Sequence, residues 1–561
     1  MTDAIRLLKE NEQTKRTMMK QLLLYFFLLL TIGPGLFAQQ AVDFRMWIEP
    51  VDSFSQIPAL QSYVIGHHNN KWLVMAGRID GLHQRQPNAS FSSSEANNQI
   101  YVIDPEQKTF YAAPLTALPT SYQEQLSSTN LNYIQKDSTL YICGGYGYSA
   151  TAQDHVTYPY LLKLDISACM QEVMQSQTVS SQHFMQLQDT AFAITGGQLN
   201  YIDSTFYLVG GHFFGGRYNP QGPTHGPGFT QYYSDAIRSF SLSEQNGQLQ
   251  ISNYQEQVDS ANLHRRDYNL VPQVFPNGEE GFTIFTGVFQ HQVDLPWLNT
   301  VDIDAQGNYT VRPVFEQLLN QYQTARLPIY EAHNNSMHTF FYGGIAQYYF
   351  DANGQLMNDP NVPFVKTISQ VSRFANDSMQ EYELVQKMPA FLGAGAEFIP
   401  QHSAFRHNGI LELDQLPIGP NLVGYIYGGI ESDFDNIFFI NDGSQSRPST
   451  QLFKVYVERD SALYTAVESV QNDLNIGLTL APNPTVGQLQ LSFQLAQTEN
   501  LKFAIYNNKG QLVWEEKASQ FAAGQQQKII QLPAHWPAGS YYLELQLKAG
   551  QKTTLPFVFQ S

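Results

Sequence analysis

Short apolar runs that end in glycine recur along the sequence. The clearest copy spans residues 206–211 (FYLVGG). Three other copies end in a glycine pair, at Gly145, Gly344 and Gly429. Two weaker copies keep one glycine, Gly77 and Gly287. Aromatic and β-branched residues at this length predict a buried strand. Glycine adopts backbone angles closed to other residues, so each strand is expected to end in a tight turn.

The segments around each glycine run also repeat. A short strand and a polar turn precede each run, as residues 199–204 precede the run at 206. A third strand follows after a loop of variable length, often with a turn into a fourth, as residues 237–242 do. Six units of about four strands predict an all-β fold, a six-bladed β-propeller. A seven-bladed or WD40-like propeller is the alternative.

The glycine pairs and the order of strands around them resemble the kelch-repeat family, over roughly residues 43–468. The resemblance implies a kelch-like propeller, which we place at residues 39–468. Kelch-type propellers include non-catalytic binding proteins, copper-dependent sugar oxidases and sialic-acid epimerases. Two segments compete for the strand that closes the ring, residues 44–50 and residues 462–465.

The first 38 residues have the pattern of a secretory signal peptide. A basic flank containing Lys20 precedes an apolar run over residues 22–32, and small residues follow. The polar stretch before this run is unusual, and the true start is expected at Met1, Met18 or Met19. The apolar run is short for a transmembrane span, so we expect none in the mature protein; a membrane anchor is the alternative.

The last segment has a different character. Residues 469–474 form a polar linker. In residues 475–561, apolar and polar residues alternate over several short segments, which predicts a small immunoglobulin-like β-sandwich. Several motif residues here resemble the type A C-terminal sorting domain of the type IX secretion system of Bacteroidota: Pro482, Asn483, Pro484, Gly487, Gly510, Gly539 and Tyr541. The resemblance implies contact with the type IX machinery and a secreted or outer-membrane cell-surface location. The domain would be either removed or used as an anchor.

Composition narrows the classes of partner. The chain has 31 Lys and Arg against 49 Asp and Glu, a net charge of −18. This acidic balance argues against nucleic acid and anionic membranes as partners. The two cysteines, Cys143 and Cys169, form either one disulfide or two buried apolar contacts. No metal cluster or cofactor is expected.

Loops after the glycine runs and loops before the first strands are expected on one face, around the central channel. Charged and aromatic residues of these loops are the candidate ligand-binding residues: Arg78, Arg217, Arg266, Arg326, Glu397 and Tyr146. A guanidinium fork suits a carboxylate, so a ring of arginines would favour an acidic sugar or an acidic peptide. The ordinary alternative for each residue is a solvated loop charge or an ion pair between blades.

Two classes of function follow. The first is an exported binding or adhesion protein whose propeller face holds a glycan or a peptide. The second is an exported carbohydrate-active enzyme, epimerase-like or oxidase-like, in which Glu397 would work beside Arg266 and Arg326. The oxidase requires a cysteine cross-linked to tyrosine near two histidines, which the sequence does not display. We therefore predict binding, with no catalytic residue assigned.

Overall fold

The computed structural model describes residues 44–52, 54, 56–84, 90–175, 178–219, 229–459, 478–483, 485–507, 512–533, 535–537, 539–547 and 552–559. The predicted signal peptide, the predicted linker, Pro484 and Gly510 lie outside the described residues. The chain divides into two compact units, one ending at Arg459 and the other beginning at Asp460. Strands dominate both units, and the predicted all-β class is confirmed.

Six antiparallel sheets follow one another along the first unit, and the first three each have four strands. Sheet 1 contains Val64–His68, Lys71–Met75, Gln99–Asp104 and Thr109–Pro114. Sheet 2 contains Asn132–Lys136, Thr139–Cys143, Tyr160–Asp165 and Phe184–Gln188. Sheet 3 contains Gln198–Ile202, Thr205–Val209, Ala236–Gln245 and Gln248–Val258.

The other three sheets repeat this order, with additions. Sheet 4 contains Asn269–Val274, Glu280–Phe285, Asn299–Ile303 and Tyr309–Glu316. Sheet 5 contains Ala325–Glu331, Ser336–Tyr342, Ile368–Arg373 and Met379–Glu383, with Leu411–Glu412 added parallel to the first strand. Sheet 6 contains Phe391–Pro400, Gly419–Ser432, Leu452–Arg459 and Phe44–Pro50, with Ser446–Pro448 added.

The N-terminal strand is therefore the outermost strand of sheet 6, where it pairs with Leu452–Arg459 from Phe44 to Pro50. The competing segment, residues 462–465, lies outside the described residues. Pairing between the two ends of this unit joins the first strand of the chain to its last sheet. The strand also buries Phe44 and Ile48 in the core shared by sheets 5 and 6.

Each pair of consecutive sheets shares one hydrophobic core, and sheet 6 shares one with sheet 1. Trp72 of sheet 1 packs against Tyr425 and Tyr427 of sheet 6, with ring centroids 5.3 and 5.8 Å apart. Tyr63 donates a hydrogen bond to the carbonyl oxygen of Tyr427 at 2.7 Å. Sheets 1 and 6 thus pack against each other as consecutive sheets do, although they lie at opposite ends of the unit's sequence.

The glycine runs end where one sheet approaches the next. Gly343 has a positive φ of +62°, and a Cβ placed on it would lie 2.0 Å from the carbonyl oxygen of Leu392 in sheet 6. Its neighbour Gly344 donates its backbone N–H to that same oxygen at 3.0 Å. A side chain at position 343 would separate the two sheets, which explains the recurring glycine.

Helices are few and short. Within the residues that the structure describes, the α-helices are Thr120–Leu126 and Ile166–Met174. Single 3₁₀ turns occur at Ser93–Glu95, Leu115–Ala117, Ser181–His183, Thr190–Phe192 and Leu413–Gln415. Among the described residues, no helix has the length and apolar character that a membrane crossing requires.

The two cysteines are not bonded to each other. Cys143 ends a strand of sheet 2, in the core shared with sheet 3. Cys169 lies in the second α-helix, in the core shared by sheets 1 and 2. Burial raises the pKa of both thiols. The sequence left open a disulfide or two buried apolar contacts, and the structure shows the second.

The C-terminal unit contains two sheets around one core. The three-stranded sheet consists of Thr479–Ala481, Gln488–Leu495 and Gly524–Gln531. The four-stranded sheet consists of Leu512–Phe521, Glu499–Asn507, Gly539–Leu547 and Lys552–Phe559. Leucine and phenylalanine alternate with polar residues along Gln488–Leu495, and the apolar side chains point into the core.

The described motif residues of this unit hold its segments together. The Asn483 Oδ1 atom accepts a hydrogen bond from the backbone N–H of Val558 at 2.8 Å. The Gly487 carbonyl accepts one from Leu532 N–H, also at 2.8 Å. The Tyr541 ring stacks on Trp536 with centroids 4.8 Å apart. The motif therefore joins the beginning of the unit to its last strand.

We predict that Gly343→Ala lowers the free energy of unfolding by about 3 kcal/mol or more, because the new Cβ overlaps the Leu392 carbonyl. Gly354 is the matched control: its φ is +76°, and a Cβ there would meet no atom within 4 Å. Gly354→Ala should cost only about 1 kcal/mol of backbone strain. Thermal and urea unfolding of both variants measures the difference, and equal losses would contradict the role assigned to Gly343.

Candidate functional site

A cavity of about 490 Å³ opens among the loops that follow the glycine runs. Every sheet of the first unit contributes to its wall. The lining residues used below are Gln61, Ser62, Arg78, His83, Phe91, Asn130, Tyr146, Thr195, His212, Phe214, Tyr218, Arg266, Asp267, Val288, Phe289, Tyr322, Gln323, Ile345, Val362, Ile430, Phe438 and Phe439. The volume falls within the range of ~300–1,000 Å³ typical of small-molecule sites.

Three short hairpins extend the wall of this region or lie beside it. They are Tyr146–Ser149 with Asp154–Thr157, His212–Gly216 with Phe229–Tyr233, and Tyr348–Phe350 with Leu356–Asn358. The first two begin directly after a glycine pair, and the third begins four residues after one. The glycine-rich stretch over residues 212–228 is described up to residue 219, and residues 220–228 lie outside the described part.

The sheets place equivalent residues at the cavity. In each sheet, the residue after the glycine run pairs with a residue just before or in the first strand: Arg78 with Gln61, Tyr146 with Thr129, His212 with Thr195, Val288 with Arg266, Ile345 with Tyr322 and Ile430 with Ala394. Sheets 1 to 3 thus contribute a polar or aromatic residue after the glycine, and sheets 4 to 6 contribute an aliphatic one. The cavity therefore has a polar side and an apolar side.

The apolar side is a continuous cluster. Val288, Ile345 and Ile430 pack with Tyr322 and Val362, and aromatic rings such as Phe438 cover them. The polar side has aromatic residues of its own: Phe91 and Phe214 lie edge-on to Tyr146, with ring centroids 5.2 and 5.1 Å away. Flat apolar surfaces therefore line both sides of the cavity.

Both arginines of the cavity are paired with carboxylates. Arg78 makes two hydrogen bonds of 2.6 Å to Asp80 and lies over the Phe91 ring. Arg266 pairs with Asp267, and its Nε atom donates to the Tyr233 hydroxyl at 3.1 Å. Burial raises the pKa of Asp267, and the positive charge of Arg266 opposes this shift. The positive charge of both arginines is therefore largely balanced within the protein.

Two histidines of the cavity are neutral at physiological pH. Burial, followed by the charge of Arg266, lowers the pKa of His83 to about 4. The same two causes lower the pKa of His212 well below its ordinary value. His212 Nδ1 lies 2.7 Å from the side-chain nitrogen of Gln231, which holds the ring in place. These imidazoles therefore offer hydrogen bonds without adding charge.

Tyr146 and Arg217 hold the wall in place. The Tyr146 hydroxyl donates to the carbonyl of Gly216 at 2.7 Å and accepts from the backbone N–H of Tyr218 at 3.0 Å. The Arg217 Nε atom donates to the carbonyl of Ser90 at 2.8 Å. Tyr146 lines the cavity, whereas Arg217 is not among its lining residues. Arg217 instead connects two loops of the wall.

Arg326 and Glu397 lie in a second, narrow cavity of about 50 Å³. Arg326 Nη1 lies 3.6 Å from Glu397 Oε2, and its Nη2 donates to the Gln198 side chain at 3.0 Å. Burial raises the pKa of Glu397, while Arg326 lowers it. The structure thus brings together Arg78, Tyr146 and Arg266 in the large cavity and Arg326 with Glu397 in the narrow one. The arginines do not converge on one point.

Four residues line both cavities, and none of them is among the ligand-binding candidates chosen from the sequence: Ser62, Asn130, Asp267 and Gln323. They belong to a repeated position with positive φ, two residues before the first strand in sheets 1 to 5, completed by Gly196 and by Gly395 in sheet 6. Backbone hydrogen bonds join neighbours, such as Ser62 N–H to the Gly395 carbonyl at 3.0 Å. The residue types differ, and only alignment of the six units by their glycine runs would have located this position.

Gln323 connects three of the six sheets at this level. Its Nε2 atom donates to Asn130 Oδ1 at 2.9 Å and to Ser62 Oγ at 3.2 Å. These two bonds reach from sheet 5 to sheets 2 and 1. The boundary between the two cavities, which we call the floor of the large cavity, is therefore a polar and ordered surface. Within the described ranges, no group of three or more His, Cys, Asp or Glu side chains is placed to hold a metal ion.

The C-terminal unit matches a known family. Residues 479–558 match the family model of the secretion system C-terminal sorting domain. The predicted sorting domain is thereby confirmed, and the protein is exported, either secreted or attached at the cell surface. The domain implies an interaction with the type IX secretion machinery. No curated protein shows significant similarity to the chain.

Two solved structures resemble the chain at a distance. The structure of YjhT is 12% identical, with a TM-score of 0.38, over 71% of this chain and 97% of that one. A fungal alcohol oxidase of the AA5 family, in complex with copper, is 9% identical, with a TM-score of 0.36, over 93% of this chain and 100% of the other. Likenesses this distant indicate neither a ligand nor an activity.

We predict that Arg266→Met lowers the free energy of unfolding by about 3 kcal/mol, because it leaves the buried Asp267 carboxylate without its cation. Adding Asp267→Asn to this variant should restore part of the loss, since the unpaired charge is then removed. The pair Arg238–Glu256 is the control: the Glu256 side chain is 36% exposed and stays solvated without its partner, so Arg238→Met should cost less than about 1 kcal/mol. Urea unfolding measures these three variants and Asp267→Asn alone; additive effects of the two substitutions would show that Arg266 and Asp267 are not coupled.

Proposed function

We propose that this exported protein is a six-bladed, kelch-like β-propeller that binds a saccharide in its large cavity without converting it. Six consecutive antiparallel sheets support the number of blades, and so does the core that sheet 6 shares with sheet 1. The two sheets around the core of the C-terminal unit support the immunoglobulin-like sandwich. The ligand remains a proposal, argued from the cavity alone.

One observation carries the proposal: the large cavity has a polar side and an apolar side. A sugar ring has the same division, because its faces expose C–H groups and its edge carries hydroxyl groups. Aromatic residues offer flat surfaces for the C–H faces. Neutral histidines, Thr195 and Asn130 offer hydrogen-bonding groups for the hydroxyls. A peptide ligand would also present polar backbone groups and apolar side chains, and it is the alternative class of ligand.

The pairing of charges favours a neutral saccharide over the acidic ligand that the arginines alone suggested. Arg78 and Arg266 already bond to Asp80 and Asp267. An acidic ligand would have to compete with these carboxylates or leave them buried and unpaired, which is costly. A neutral ligand keeps both ion pairs intact and can accept hydrogen bonds from any guanidinium N–H they leave open.

Exposed aromatic residues around the cavity suggest a ligand longer than the cavity itself. Tyr148 and Tyr232 lie on the hairpins that follow two of the glycine pairs, and both are exposed. Phe439 lines the cavity and is 63% exposed. Isolated exposed aromatics are ordinary, but several around one opening fit a chain of sugar units at the cell surface.

A sugar-converting enzyme is the second candidate, and the buried Glu397 favours it. A carboxyl group with a raised pKa beside Arg326 is a suitable general acid or base. Its cavity of about 50 Å³, however, is far smaller than the ~300–1,000 Å³ typical of small-molecule sites. A sugar ring in the large cavity would not reach Glu397 without rearrangement of the floor.

We predict that Phe439→Ala weakens saccharide binding by about tenfold, because an aromatic surface of the cavity is lost. Phe434 is the matched control: it lies on the same loop and is 57% exposed, but it is not among the lining residues. Phe434→Ala should bind as the parent protein does. A glycan array followed by calorimetry on purified full-length protein measures both variants.

Three outcomes of this experiment would count against the proposal. If no saccharide binds, or if both variants bind equally well, the cavity is not the saccharide site. If an acidic peptide binds instead, the class of ligand is wrong. If NMR spectra show that the bound sugar is converted, and Glu397→Gln stops the conversion, the protein is the enzyme of the second candidate.

We also predict that a chain ending at Arg459 is not delivered to the cell surface, because it lacks the sorting domain. Protease digestion of intact cells that possess a type IX secretion system, compared with digestion of lysed cells, gives the location of each form. The full-length chain is the control. A truncated chain that is cleaved on intact cells as readily as the full-length chain would show that the domain is dispensable for export.

A further inference from the structure

We infer that the saccharide of the large cavity is a neutral N-acetylated amino sugar, whose acetamido group lies between His212, Arg266 and Tyr322. The inference rests on the proposed saccharide function and adds the class of sugar to it. The side chains of His212 and Arg266 donate hydrogen bonds to the carbonyl oxygen of this group, and its methyl group packs on the apolar side of the cavity.

Three polar atoms of the cavity wall are open to a ligand: His212 Nε2, Arg266 Nη2 and the Tyr322 hydroxyl. All three residues line the large cavity. In the part of the chain that the structure describes, none of these atoms has a hydrogen-bond partner, and none of them is fully buried. A ligand in the cavity can therefore reach them.

His212 presents a proton rather than a lone pair at Nε2. The side-chain nitrogen of Gln231 lies 2.7 Å from His212 Nδ1, and an amide nitrogen can only donate, so Nδ1 is the acceptor. Burial, followed by the charge of Arg266, lowers the pKa of His212 well below its ordinary value, and the ring remains neutral. The one proton of the neutral imidazole is then on Nε2.

Tyr233 keeps the two donors side by side. It pairs with His212 across the hairpin, with ring centroids 5.7 Å apart, and its hydroxyl accepts from Arg266 Nε at 3.1 Å. Arg266 Nη1 is bonded to Asp267, so Nη2 is the open end of the guanidinium. Both donors are therefore fixed before the ligand arrives, which lowers the cost of binding.

The open atoms match the polar atoms of an amide. Two neighbouring N–H donors suit an oxygen atom with two lone pairs and no proton, such as a carbonyl oxygen. Asp267 already balances the charge of Arg266, so this oxygen need not belong to an anion. The Tyr322 hydroxyl can accept a hydrogen bond from the amide N–H.

Apolar side chains adjoin these donors. Arg266 and Val288 exchange backbone hydrogen bonds of 2.9 Å, and the Arg266 guanidinium lies over the Phe289 ring, 5.1 Å from its centroid. Val288 packs in turn with Tyr322 and Ile345. A methyl group next to the carbonyl buries its surface here, as a hydroxyl group would not. An acetamido group combines the carbonyl, the N–H and the methyl group in one neutral substituent.

The test compares matched pairs of neutral disaccharides by calorimetry on the full-length protein. Each pair consists of the disaccharide of an N-acetylhexosamine and the same disaccharide with hydroxyl groups instead, in gluco, galacto and manno configuration. We expect one acetamido member to bind roughly 10- to 100-fold more tightly than its hydroxyl counterpart. Its N-formyl derivative keeps the amide and lacks the methyl group, and it should bind roughly fourfold more weakly than the N-acetyl form.

His212→Phe keeps a ring of similar size and removes the N–H donor. It should weaken binding of the acetamido disaccharide roughly tenfold and leave that of the hydroxyl counterpart unchanged, so the preference falls. His155→Phe is the matched control, because His155 is also a buried histidine of a hairpin but does not line the cavity. It should keep the preference of the parent protein. The disaccharide pairs test the class of sugar on the parent protein alone, so that result does not depend on the stability of His212→Phe.

The two proposals fail in different ways. If disaccharides bind but no acetamido member is preferred, the class of sugar is wrong and the saccharide function stands. If the preference is the same in His212→Phe as in the parent protein, the position assigned to the acetamido group is wrong. If no disaccharide binds the parent protein, the proposed function fails, and the inference fails with it.

Discussion

Close approach between consecutive sheets is the constraint on which the rest of the first unit depends. Glycine after each strand lets the backbone of one sheet reach the entry loop of the next. Gly211 N–H, for example, donates to the Arg265 carbonyl at 2.8 Å, and Gly429 N–H makes the equivalent bond to Leu60 at the same distance. The second of these bonds connects sheet 6 to sheet 1. One local contact, repeated, thus holds neighbouring sheets together and also joins the last sheet to the first.

The same contact places the candidate site. The residue after the glycine pairs with a residue at or near the start of its own sheet, and in all six sheets it lines the large cavity. This explains why Arg78, Tyr146 and Ile430 occupy equivalent positions although their side chains have nothing in common. Steric contacts allow only glycine at the first position, whereas they do not restrict the type of the residue that follows it. The same backbone contact, repeated in each sheet, can therefore support a cavity wall whose side chains differ from one sheet to the next.

The sequence was sufficient for those features that follow from local patterns. Alternating apolar runs predicted the all-β class, and the ordered motifs near the C-terminus predicted the sorting domain. Features that depend on contacts between distant segments were not predictable. Residues 44–50 and 462–465 were equally suitable as the closing strand, and only pairing with Leu452–Arg459 distinguishes the first. The repeated floor position was missed because its residue types differ and its common property is a positive φ.

Ion pairing, considered from the sequence only as the ordinary alternative for each charged residue, determines the charge of the site. Counting arginines predicted positive charge around the channel, but Asp80 and Asp267 lie two residues and one residue from the arginines that they bond. Sequence proximity alone did not reveal that both pairs form. In the structure, both arginines of the large cavity bond to carboxylates, and this pairing is the reason why we propose a neutral ligand rather than an acidic one.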